Sequence, residues 1–186
     1  MVRAAGASSA PNAPWKVHLR PNMSLKEQLI EALFEQRAEE MVALASQAVA
    51  NPDPWAGLKG FLTASLELQE DRGLKELFLG GADGPARILA MRARILPIAT
   101  QLVARAQESG QLRPDVTTSD FALTQVMPGT LLDVTRDLEG DVWRRYLALM
   151  LQAFEGPVSE PLPVPPPAPD EVDQAMRNWG PMRRTS

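Results

Sequence analysis

The sequence predicts an all-α fold, an antiparallel helical bundle, and three observations carry that prediction. Apolar residues recur at helical spacing from Ser24 to Phe154. The breaks between them are helix punctuation, with Ser or Asp before an apolar run and Gly or Pro after it. No stretch of useful length alternates apolar and polar residues as a half-buried strand does. Three segments follow from this pattern: a leader over residues 1–22, a helical domain over 23–156, and a proline-rich tail over 157–186.

The leader carries Gly, Ser, Ala, Asn and Pro without period and reads as mobile. Ser24 and Glu27 then make the S-x-x-E pattern, in which each side chain satisfies the other's backbone donor at a helix start. Ile30, Leu33, Phe34, Met41, Leu44, Ala45 and Ala48 follow as a buried stripe on a helix of about seven turns. Asn51-Pro52-Asp53-Pro54 stops it. Asp53 can cap the next helix with Pro54 at its first position, and Trp55, Leu58, Phe61, Leu62 and Leu66 form that helix's apolar face. Gly73 is placed to end it, before a short apolar turn from Leu74 to Leu79.

A new start falls at Asp83-Gly84-Pro85. Ile88, Ile95, Ala99, Leu102 and Ala106 line one face of the helix that follows, with Leu89, Leu96 and Val103 beside them, so most of a wide stripe should be buried. Pro97 lies inside it and should kink it. Gly110 is placed as a left-handed terminator, Leu112 to Val116 as a connector, and Thr117 or Thr118 as the next cap. The helix carrying Phe121, Ala122, Val126, Leu131, Leu132 and Val134 is interrupted by Met127-Pro128-Gly129. Asp141 begins the last core helix, with Trp143, Tyr146, Leu147, Met150 and Phe154 at i, i+3, i+4, i+7 and i+11, and Gly156 closes it. Seven prolines between Pro157 and Pro169 favour extended geometry. Beyond them Val172, Met176 and Trp179 share one helical face. That segment either docks on the body or on a partner, or frays.

Composition bounds the function. With 45% hydrophobic and 23% charged residues the 186-residue chain can bury one sizeable core. No cysteine means no disulfide, thiolate metal site or cysteine nucleophile, which suits a reducing cytoplasm. Apolar runs fall short of the roughly 20 residues a bilayer span needs, so no membrane partner is expected. A net charge of -4 opposes a large phosphate-binding surface. His18, the single histidine, lies in the leader. Catalytic triads, metal sites and cofactor fingerprints are therefore unsupported: Gly80-Gly81 and Gly84 follow no strand, and Glu35, Glu39 and Glu40 read as a solvated helix face. The chain is read as no enzyme, with no cofactor.

Three local sequences together resemble a known family. The stretch from Ser24-Leu25-Lys26-Glu27 to Arg37 resembles the first helix after the DNA-binding domain of TetR-family transcriptional regulators. Asp53-Pro54-Trp55-Ala56-Gly57-Leu58, with Asp71-Arg72-Gly73-Leu74 downstream, resembles one subgroup of their C-terminal domains. Ala106-Gln107-Glu108-Ser109-Gly110-Gln111-Leu112-Arg113-Pro114-Asp115-Val116 looks like the turn by which those domains enter their last two helices. The similarity covers about Ser24 to Gly156. It implies the effector-sensing and dimerisation part of a regulator, forming a homodimer and taking a small apolar effector. Such regulators carry about 45 residues of helix-turn-helix structure before this point. Residues 1–22 cannot hold it, so the head is expected to be lost or clipped, and DNA is a partner only if an upstream helix-turn-helix exists. The alternatives are a helical ligand carrier that does not bind DNA and a dominant-negative dimerisation partner.

Bundle pockets are mostly apolar with a few orienting polar groups. On the middle helices the candidates are Trp55, Phe61, Ser65, Met91, Ile95, Gln125 and Met127. Gln125 and Ser65 stand out, because a polar group near an apolar face needs a partner. Arg92 and Arg94 could hold an anionic ligand, but read rather as surface residues. The resemblance implies pairing through the last two helices, about Ser119 to Thr135 and Asp141 to Phe154, with Phe121, Leu131, Trp143, Tyr146, Leu147, Met150, Leu151 and Phe154 as interface candidates. Sensing and pairing are expected to survive removal of everything after Gly156.

Overall fold

A computed structural model describes residues 24–69, 84–135, 137–138, 140–157 and 160–178. Seven helices lie among them: α1 Leu25–Val49, α2 Pro54–Glu67, α3 Gly84–Glu108, α4 Thr118–Thr124, α5 Val126–Val134, α6 Val142–Ala153 and α7 Pro169–Asn178. The leader with His18, the Gly73 stop, the Leu74 to Leu79 turn and Trp179 lie outside the described residues.

The start signals at Ser24, Asp53 and Thr117 act as the sequence implies, while Asp83 lies outside the described residues. At α1 the Glu27 carboxylate accepts from the Ser24 N–H at 2.7 Å, and the Glu27 N–H donates to the Ser24 hydroxyl at 3.3 Å. At α2 the Asp53 carboxylate accepts from the Ala56 N–H at 3.0 Å, with Pro54 as the first helical residue. These backbone donors hold both carboxyls below their usual range. Thr117 precedes α4, and its N–H and hydroxyl both donate to Asp120, at 2.7 and 2.8 Å. Gly110 takes φ 72° after α3, a conformation open to glycine at no steric cost.

The two prolines inside the helical segments sit differently. α3 runs unbroken through Pro97; both Pro97 and Ala93, whose carbonyl the proline leaves without its helical donor, are exposed, so solvent can satisfy it. The chain breaks at Gln125 rather than at Met127-Pro128-Gly129. Pro128 is the third residue of α5, in the first turn, where its missing N–H has no intrahelical acceptor to lose.

α1 packs against α2 and α3, and α2 against α3; α5 pairs with α6, and α4 and α6 join the two groups. The core runs through all of them, with Leu58, Leu66, Leu102 and Val116 fully buried. Ala38, Ala45 and Ala48 are buried on α1, small enough to let that helix lie close to its neighbours. No strand forms among the described residues beyond an isolated bridge between Leu112 and Glu155. α7 docks on α3 and α4, burying Val172 and Met176, and the Arg92 guanidinium reaches Asp173 at 2.7 Å.

Candidate functional site

The wide stripe on α3 is buried only from Leu102 onward; Ile88, Met91, Ile95 and Ala99, nearer its start, are half-buried. They face a cavity of about 320 Å³ between α1, α2, α3, α4 and α7. Such a volume sits at the lower end of the roughly 300–1,000 Å³ typical of small-molecule sites. Phe34 and Met41 come from α1, Phe61 and Leu62 from α2, Phe121 and Ala122 from α4, and Met176 from α7. The walls are overwhelmingly apolar.

The polar exceptions gather along α2. Ser65 donates its hydroxyl to the Leu62 carbonyl at 2.9 Å. The Gln125 amide, arriving from the turn between α4 and α5, donates to the same carbonyl at 3.3 Å. One turn on, the Gln69 amide donates to the Ser65 carbonyl at 3.4 Å. Both amides give their nitrogen to a group that can only accept, which fixes each side-chain oxygen on the opposite side. Those two oxygens, Gln69 Oε1 and Gln125 Oε1, are buried and have no hydrogen-bond partner. Arg37, Arg87 and Arg92 stand at the margin, each near an acid: Glu40 at 2.7 Å, Glu31 at 4.0 Å and Asp173 at 2.7 Å.

Of the residues singled out from the sequence, Phe61, Ser65, Met91, Ile95 and Gln125 line the cavity, while Trp55 and Met127 do not. Met127 is 54% exposed on α5. Trp55 is buried at the start of α2, where its Nε1 donates to Glu155 at 3.1 Å and Lys59 lies 5.3 Å from its ring. That end of the bundle is a clasp. Gln111 donates to Asp53 at 3.2 Å and accepts from the Trp55 N–H at 3.4 Å, and the Arg113 N–H donates to the Phe154 carbonyl at 3.0 Å. Asp115 accepts from the Arg113 guanidinium at 2.6 Å and from the Leu162 N–H at 2.7 Å, which together draw its carboxyl down to about 2. Arg92, read from the sequence as a surface residue, has a side chain only 12% exposed and lines the cavity; Arg94 pairs with Glu35 outside it. Gln69 escaped the sequence reading although it lies four residues after Ser65 on the same face, a spacing that could have found it.

Among the interface candidates, Phe121, Trp143, Leu147 and Leu151 are buried in the chain's own core, Phe121 with its ring edge-on to Phe154 at 5.1 Å. Leu131, Met150 and Phe154 are half-buried, and Tyr146 is 46% exposed. Met127, Val134, Leu138 and Leu149 add exposed apolar surface on α5, on α6 and between them. No helix of the described residues is long and apolar enough to cross a membrane.

Residues 53–153, more than half of the chain, match the family model described as transcriptional regulator SbtR-like, C-terminal domain. No curated protein matches the chain.

Proposed function

The chain belongs to the TetR family through this SbtR-like C-terminal domain, and from that premise we propose that it is the effector-sensing and pairing part of a transcriptional regulator. The observation that carries the sensing role is the apolar cavity of about 320 Å³, walled by five helices and lined on one side by a short polar strip. A ligand filling it touches α3 and α4 together and favours whichever packing of those helices accommodates it best. By linkage, that preference reaches any surface whose geometry depends on the same packing. The pairing role rests on the exposed Tyr146, Leu149, Met127 and Val134 of the α5 and α6 pair, which a second copy of the chain would cover. The family is regulatory rather than enzymatic.

The test is a transcript comparison between cells with and without the gene. Its removal should change a limited set of transcripts, and the wild-type chain should restore them. Ala99→Trp, which fills the cavity from α3, should hold those transcripts fixed across conditions in which the wild type lets them vary. A transcript profile indifferent to the deletion overturns the regulatory reading.

A further inference from the structure

The polar strip along α2 has a definite chemical sense. The Ser65 hydrogen is spent on the Leu62 carbonyl, and the amide nitrogens of Gln125 and Gln69 are spent on the Leu62 and Ser65 carbonyls. What these three side chains have left over is acceptor capacity: two amide oxygens without partners, closed off from the cavity as they are packed, and the lone pairs of one hydroxyl. A buried acceptor left unmatched is costly, and both belong to residues that line the cavity, where a ligand could relieve that cost. The tethers at 3.3 and 3.4 Å are long, and the last torsion of a glutamine is soft, so each oxygen can turn toward an incoming donor. The cationic groups at the margin offer less to an anion, since each already faces an acid, Arg37 and Arg92 at 2.7 Å and Arg87 at 4.0 Å.

We propose that the effector is a mainly apolar molecule bearing at least two hydrogen-bond donors, hydroxyl or N–H groups, which meet Gln69 Oε1 and Gln125 Oε1, and that anions are disfavoured. This rests on the sensing reading above and deepens it. The class of ligand follows from the donor and acceptor balance, and the apolar body from the remaining walls.

The test is calorimetric titration of the full chain with three probes of similar shape: a naphthalenediol, its dimethyl ether, and naphthoate. The diol should bind about tenfold or more tighter than the ether, as one good hydrogen bond to a buried acceptor implies. Naphthoate should bind no better than the ether. In the Gln69→Leu and Gln125→Leu double variant the diol should fall to the level of the ether, whose own affinity should hold; the single Gln125→Met variant should give an intermediate loss. An ether or naphthoate that binds as tightly as the diol overturns the ligand class while leaving a working cavity. If none of the three binds to the folded protein, the sensing reading falls, and this inference with it.

Discussion

At Gly57 the backbones of α1 and α2 approach more closely than a side chain permits. A Cβ built there would lie 2.5 Å from the Ala48 carbonyl oxygen and 3.0 Å from the Asn51 Cβ. Three residues on, Gly60 faces open space, with nothing within 4 Å of the same imagined atom. The two glycines share a helix and a residue type, so replacing each with alanine separates intrinsic preference from packing. Helix propensity favours alanine by ~1 kcal/mol at both positions. At Gly57 the overlap is with backbone, which cannot turn aside as a flexible side chain would, and such overpacking costs roughly 1–3 kcal/mol or more. Gly60→Ala should therefore raise the midpoint of thermal unfolding, and Gly57→Ala should lower it. Equal rises in both would mean that α1 and α2 are not in close contact at Ala48. The arginine at position 105 works at the same junction, since its guanidinium donates to the Val49 carbonyl and, at 3.0 Å, to that of Asn51, closing the end of α1.

Among the elements, α7 departs furthest from what periodicity alone can say. The spacing of Val172 and Met176 marks an apolar face, but not the surface it meets. In the structure it meets α3 and α4, and Met176 becomes part of the cavity wall, so loss of the tail would remove one side of the cavity that the sequence placed wholly before Gly156. A chain ending at Ala168 keeps the contact between Leu162 and Asp115 and loses α7 with the residues after it. It should stay helical, melt earlier through the lost burial of Val172 and Met176, at ~1.5–3 kcal/mol for each large apolar side chain, and bind an apolar dye such as ANS more strongly as the cavity opens. Unchanged dye binding would remove α7 from the site. The helix starts were legible because caps are local: Ser24 with Glu27, and Asp53 with Ala56, need only residues three apart. Gly110 was legible for the same reason. The cavity was not, because it exists where the apolar stripe of α3 before Leu102 fails to meet α2, and a stripe that packs reads the same as one that lines a void. Five of the seven candidate residues still line it, since any apolar face on the middle helices had a good chance of reaching it; Trp55 does not, because Glu155 and Gln111, distant in sequence, hold it at the other end of α2.

For the molecule as a whole, the question is which apolar surface on α6 the chain's own core uses and which it leaves over. Trp143, Leu147 and Leu151 recur every four residues and are buried against the core. Tyr146 and Leu149 lie off that line and remain exposed, as do Met127 and Val134 on the partner helix α5. A sequence pattern merges these two sets, since both are apolar and both belong to one amphipathic helix. They should respond differently to substitution. Trp143→Ala removes a ring that the fold itself buries, so it should destabilise the chain by ~3–5 kcal/mol, with any loss of pairing following from unfolding. Tyr146→Glu places a charge on a surface already open to water, so the isolated protomer should keep its thermal midpoint within a few degrees. If the exposed set is the pairing surface, that same charge must be desolvated against a second copy, and sedimentation velocity should then find the wild type as a dimer and the variant as a folded monomer. A variant that remains dimeric would move the pairing surface off this side of α6, and a wild type that sediments as a monomer would remove self-association from the proposed function while leaving the cavity untouched.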